Sequence, residues 1–115
     1  MNGMTKEVID AKDECYWNDT TALMNAAERG HRKIVELLLE KGADVDLRRG
    51  CPGWQAIHLA TYFGHLDVIK LIAKSHPEVL NARTNRLDET PLDIAIRKGH
   101  TNIKNWLLNE KNVTK

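Results

Sequence analysis

Apolar and polar positions in this chain follow a pattern that recurs three times. A short apolar-rich segment comes first: Ala22-Leu23-Met24-Asn25-Ala26-Ala27, then Ala56-Ile57-His58-Leu59-Ala60-Thr61, then Pro91-Leu92-Asp93-Ile94-Ala95-Ile96. A Gly-His pair follows each, at Gly30-His31, Gly64-His65 and Gly99-His100. Next comes an amphipathic segment with apolar residues at helical spacing: Ile34-Val35-Glu36-Leu37-Leu38-Leu39, Val68-Ile69-Lys70-Leu71-Ile72-Ala73 and Ile103-Lys104-Asn105-Trp106-Leu107-Leu108. Successive histidines of these pairs are 34 and 35 residues apart. A unit of this length cannot bury its own apolar face, so neighbouring units must stack into a solenoid.

The pattern predicts two helices per unit. Thr21 and Thr90 are suited to cap the first helix, because a threonine oxygen accepts a free backbone N–H there. Pro91 falls at the first helical position, where its fixed φ fits and its missing N–H costs nothing. Asp93, three residues after Thr90, is placed for a capping box. Gln55 holds the cap position of the second unit, which predicts a looser helix start. Ala26, Ala60 and Ala95 recur at one position, and small side chains there let helices approach closely. The glycine of each Gly-His pair ends the first helix. The second helix stops near Gly42 in the first unit and before Pro77 in the second, since proline cannot continue a helix. Polar runs at Arg48-Arg49-Gly50-Cys51-Pro52-Gly53 and Arg83-Thr84-Asn85-Arg86-Leu87-Asp88 predict turns that project from the stack.

This arrangement resembles the ankyrin repeat. Thr21-Ala22-Leu23 and Thr90-Pro91-Leu92 match the family's Thr-Pro-Leu-His box, and His58 is its one surviving histidine. The three Gly-His pairs and Ile34-Val35-Glu36-Leu37-Leu38-Leu39-Glu40-Lys41-Gly42-Ala43-Asp44-Val45-Asp46 continue the match. The resemblance covers residues 16–110. It implies an all-α repeat solenoid: three helix-turn-helix units joined by hairpin-like fingers in one domain. The expected divisions are an N-terminal extension at 1–15 and repeats at 16–49, 50–84 and 85–115. Within the extension, Val8-Ile9-Asp10-Ala11 resembles the tail of a repeat and reads as a strand on the first finger. The family period is about 33 residues, so the surplus here fits insertions near Arg49 and Leu80, in connecting segments that tolerate them. The finger from Lys12 to Thr20 also reads as long.

The outer units depart from the inner one. Asn25 stands where the others have Leu59 and Ile94, and Lys104 where they have Val35 and Ile69. A polar residue at such a position prevents an open apolar patch on a terminal layer. Asp93 in place of His58 also resembles a C-terminal cap. These features favour a free-standing three-repeat domain with capped ends. The other reading is ordinary drift within a fragment of a larger protein.

Charge narrows the partners. With 17 basic and 16 acidic residues the net charge is +1, too balanced for nucleic acid or an anionic membrane to be the main ligand. The charge is nonetheless polarised. Residues 1–30 carry three basic and six acidic groups, and residues 81–115 carry seven and four. No apolar run approaches the ~20 residues needed to cross a bilayer, and the first residues lack the apolar segment of a signal peptide. Cys15 and Cys51 are too few for a disulfide-stapled fold or a four-ligand zinc site, so an intracellular, cytoplasmic or nuclear setting is expected. They fall in adjacent fingers. A redox pair and two ordinary thiols are both open, with no acidifying neighbour in sequence.

What the resemblance implies for binding is a partner on the fingers and on the concave side, where the shorter helices lie. The positions just before each Gly-His pair are Glu28-Arg29, Tyr62-Phe63 and Arg97-Lys98. Finger positions include Tyr16 and Trp17, then Trp54, then Arg86, Leu87 and Glu89. Aromatics are only 5% of the chain, so their concentration in these sets carries weight, and Trp, Tyr and Arg lead among interface hot spots. Tyr62 or Phe63 could instead pack on a neighbouring repeat. Trp106, in the middle of a second helix, reads as core.

The histidines do not form a catalytic or metal-binding motif. His31, His65 and His100 recur at the repeat period, which assigns them to holding the turn. His58 has the family's inter-repeat hydrogen-bonding role, and His76 before Pro77 reads as solvated. His-Glu-x-x-His, Cys-x-x-Cys, Walker-type and Gly-x-Ser-x-Gly motifs are absent from the sequence. The expectation is a non-enzymatic, monomeric protein-interaction domain without metal or cofactor, its ligand another protein or peptide. The alternative is a regulatory or targeting module cut from a larger enzyme, channel or signalling protein.

Overall fold

A computed structural model describes residues 21–48, 53–85 and 87–110, and among these residues six α-helices form three helix pairs. The first layer holds α1 (Ala22–Arg29) and α2 (Arg32–Glu40). The second holds α3 (Ala56–Tyr62), α4 (Leu66–Ser75) and a 3-10 turn (Pro77–Asn81), and the third α5 (Pro91–Lys98) and α6 (Thr101–Asn109). The first helices stack as α1, α3, α5, and α2 packs on α4. No strand occurs among the described residues. The core is one continuous seam between layers, with Met24, Ile57, Leu59, Ile69, Ile72, Leu80, Ile103 and Leu107 fully buried.

Helix starts follow the sequence. Thr21 Oγ1 accepts the Met24 N–H at 3.1 Å. At Thr90 the box is reciprocal: the Asp93 N–H donates to Thr90 Oγ1 (3.2 Å) and the Thr90 N–H to Asp93 Oδ2 (3.1 Å). The start of α3 corrects the expectation of looseness at Gln55. There the Gln55 N–H donates to Nδ1 of His58 at 3.0 Å, and both residues are buried. Histidine three residues on does the work that the cap side chain does elsewhere.

Each Gly-His pair acts in two directions. Within its layer, glycine takes the left-handed conformation (φ 73° at Gly30, 79° at Gly64, 76° at Gly99) that only a residue without Cβ adopts freely. The next N–H then closes the helix: His31 donates to Ala26 O (2.9 Å), His65 to Ala60 O (2.8 Å) and His100 to Ala95 O (3.0 Å). The three alanines therefore hold one structural position in successive layers. Between layers, His65 Nε2 donates to the Glu28 carbonyl at 3.0 Å, and His100 Nε2 to the Tyr62 carbonyl at 2.9 Å. A Cβ on Gly30 would come within 2.6 Å of the His65 ring, and one on Gly64 within 3.1 Å of the His100 ring. The glycine of one layer makes room for the histidine of the next. His65 and His100 thus join layers rather than merely hold their own turns, and no side chain of the three histidines caps the helix it precedes.

The connecting segment around Leu80 is ordered and partly buried. It forms the 3-10 turn, and Val79 and Leu80 are buried against α4 and α5. The finger between the second and third layers is hairpin-like: the Thr84 N–H donates to Glu89 O (2.9 Å), and the Glu89 N–H to Thr84 Oγ1 (3.0 Å). Arg48 ties two fingers together, donating from Nη1 to the carbonyls of Gly53 (2.6 Å) and Arg83 (2.8 Å). Gly53, at φ 65°, leaves space that the Asn85 side chain fills. The outermost substitutions behave as their chemistry requires: Asn25 is exposed and Lys104 half-buried, whereas Leu59, Ile94, Val35 and Ile69 are buried.

Candidate partner-binding face

The ends of α1, α3 and α5 lie side by side, and the residues singled out there meet at the second layer. Trp54, in the turn leading to α3, packs its ring edge-on to Tyr62 (centroids 5.1 Å apart, 62° between planes). Tyr62 in turn meets Phe63 edge-on at 5.0 Å and 76°. These are the geometries that aromatic quadrupoles favour. Lys98, one layer on, places Nζ 4.5 Å from the Tyr62 ring centroid, a cation–π contact. Tyr62 and Trp54 are half-buried, and Phe63 is 46% exposed at the open end of the row. Of the two open readings, packing on a neighbour applies in part to Tyr62, whereas Phe63 faces solvent.

Charges around the row are partly satisfied. Arg97 grips Glu89 with two hydrogen bonds of 2.8 Å, Nε to Oε2 and Nη2 to Oε1. That bond with Glu89 raises the arginine pKa further above its ordinary value. The pair therefore presents little free charge. Arg29 reaches Asn25 Oδ1 from Nε at 3.3 Å on the exposed side of α1. The Glu28 backbone is committed to His65. Leu87, at the finger tip, is 65% exposed. Tyr16, Trp17 and Arg86, with both cysteines, lie outside the described residues. Trp106 is half-buried and packs against the core.

Ile96 is a large apolar residue that sequence reading did not single out. It is 56% exposed on α5, at the position where the inner layers bury Ala27 and Thr61. Comparing equivalent positions one layer at a time would have found it. His76 keeps its side chain 39% exposed, with Nδ1 3.6 Å from Glu78 Oε2. Among the described residues, no group of three or more His, Cys, Asp or Glu gathers to hold a metal ion. None of the helices there is long and apolar enough to cross a membrane.

Comparison with known proteins agrees with this geometry. The family of ankyrin repeats, in three copies, matches residues 1–84 and 48–115. Similar proteins include mouse "Protein fem-1 homolog A-like", 39% identical over 93 residues, 79% of this chain and 13% of that protein. The "NF-kappa-B inhibitor cactus" of Drosophila melanogaster is 37% identical over 85 residues, 70% of this chain and 17% of its own length. The "Notch-regulated ankyrin repeat-containing protein" of Xenopus laevis is 35% identical over 78 residues, 59% of this chain and 68% of that protein. The chain thus spans a small part of the first two and about two thirds of the third. The chain belongs to the ankyrin-repeat family, whose repeats are in general protein-interaction modules.

Proposed function

We propose that this ankyrin-repeat chain is a non-enzymatic binding domain that takes a protein or peptide across its concave face and fingers. The observation that carries the reading is the row Trp54–Tyr62–Phe63 capped by Lys98. Two rings are braced by their neighbours and one is left open, so binding there orders little that is not already ordered. The ligand that suits it carries an apolar anchor to cover Phe63 and a carboxylate within reach of Lys98. Arg97, already neutralised by Glu89, positions the face rather than binding charge. Glu28, Arg29, Trp54, Leu87 and Glu89 complete the proposed contact set, with Tyr16, Trp17 and Arg86 from its finger sequences. The two cysteines favour a reducing, intracellular setting.

The test is capture from cell extract with the wild-type chain and with Phe63→Ala, scored by quantitative mass spectrometry. A ligand bound through this face is lost on Phe63→Ala, with affinity reduced by about 2 kcal/mol, while circular dichroism stays helical. A captured protein that binds Phe63→Ala as tightly as wild type overturns the concave-face reading. A second reading, a regulatory module of a longer protein, is favoured by the small share of the mouse and fly relatives that the chain spans. The mass of the native protein decides it.

A further inference from the structure

We propose that copies of this chain stack head to tail, the first layer of one molecule docking on the last layer of another. The same interface already occurs twice inside the molecule. Its signature is a histidine seated on the preceding layer's glycine, with Nε2 donating to the carbonyl of the residue two before that glycine: His65 on Gly30 and Glu28, His100 on Gly64 and Tyr62. Both halves of a further such joint are present and unused. Among the described residues nothing stands within 4 Å of where a Gly99 Cβ would be, and Arg97, two residues before that glycine, holds the register of the acceptor. His31 is exposed at the other end of the molecule.

The surrounding apolar positions show the same asymmetry. Val68 and Ile103 are fully buried in layers that have a predecessor, and their equivalent Ile34 is 48% exposed. Ala27 and Thr61 are fully buried in layers that have a successor, and their equivalent Ile96 is 56% exposed. Burial that depends on a neighbouring layer identifies which face each residue presents. Ile34 and His31 therefore lie on the leading face, Ile96 and Gly99 on the trailing one. Asn25 and Lys104 interrupt the two apolar faces, which makes the contact weak and reversible. Because the joint is heterologous, it does not close on itself and extends beyond a dimer.

Sedimentation velocity of the full chain, from about 10 μM to about 1 mM, tests it, since contacts of this strength populate only near the top of that range. The mean mass is expected to rise above 13.1 kDa with concentration and to pass that of a dimer. Ile34→Glu and Ile96→Glu, both at exposed positions, should each remain monomeric with an unchanged melting curve. Mixed in equal amounts they should form a one-to-one dimer and nothing larger, since each retains the face the other lacks. His31→Ala should weaken association about tenfold. A wild-type chain that stays monomeric throughout overturns the proposal. So does a mixture of the two variants that remains monomeric, or assembly that persists in either variant alone.

Discussion

His58 combines two duties that set its chemistry. Its Nδ1 accepts the Gln55 N–H, so the proton sits on Nε2, which donates to the Ala82 carbonyl at 2.8 Å. One imidazole thereby fastens the start of α3 to the finger that leads to the next layer. Burial penalises the imidazolium and lowers the pKa to about 4, despite the Ala82 hydrogen bond that pulls the other way. An unfolded histidine titrates near 6.5. Between these values the unfolded chain binds more protons, so stability rises with pH there and is lost as pH falls. The expected loss from pH 7 to pH 4 attributable to this residue is about 3 kcal/mol. Urea titrations at a series of pH values read it, and His58→Gln, weaker at neutral pH, should lack that component. Gln55 Oε1 beside it is buried without a hydrogen-bond partner among the described residues, a cost accepted at the same corner.

At the scale of helices and turns, the glycines that end the first helices should be ranked by what stands over them. A Cβ at Gly99 meets nothing among the described residues, so Gly99→Ala is expected to cost only the left-handed backbone, about 1 to 2 kcal/mol. Gly64→Ala adds a tight contact with the His100 ring, and Gly30→Ala drives a methyl against the His65 ring. The expected order of destabilisation is Gly30→Ala, then Gly64→Ala, then Gly99→Ala, measured by urea midpoints. Equal losses at all three would mean that the histidines do not seat on the glycines. These elements also show what periodicity conveys. Apolar spacing and the Thr and Pro signals located the helices and their starts, because those signals act within a few residues. The inter-layer role of the histidines was less legible: its acceptors, Glu28 and Tyr62, lie 37 and 38 residues away in sequence. Arg48 was missed for a similar reason, since an arginine in a turn gives no sign of which carbonyls it will reach. The burial of Val79 and Leu80 is not legible because a connecting segment gives no sign of which helices it will pack against.

Across the whole molecule, stability is the sum of layers and the joints between them. The central layer takes part in both joints, with α3 packed on α1, α4 and α5, whereas α6 packs chiefly on α5. Equal truncations should therefore cost unequal amounts. Leu59→Ala in α3 and Leu107→Ala in α6 remove the same atoms from equally buried sites, and each falls in the range of about 2 to 5 kcal/mol. Leu59→Ala is expected to be the more damaging, and its urea transition to remain single because both joints weaken at once. If Leu107→Ala proves equal or worse, the layers do not share stability in this way. The candidate face was legible as a set of residues, since aromatics are scarce and five of the six fall in the fingers or just before a Gly-His pair. Its internal order was not: which ring is braced and which is open depends on Lys98 from the next layer.

The interlocking of glycine with the following histidine has a consequence for how such a gene can change length. Excising His31–Gly64 would join Gly30 directly to His65, and duplicating that span would insert a whole unit, in each case with the same fit at the seam. Unequal crossing-over between Gly-His codons therefore yields shorter or longer arrays whose new junctions need no compensating substitution.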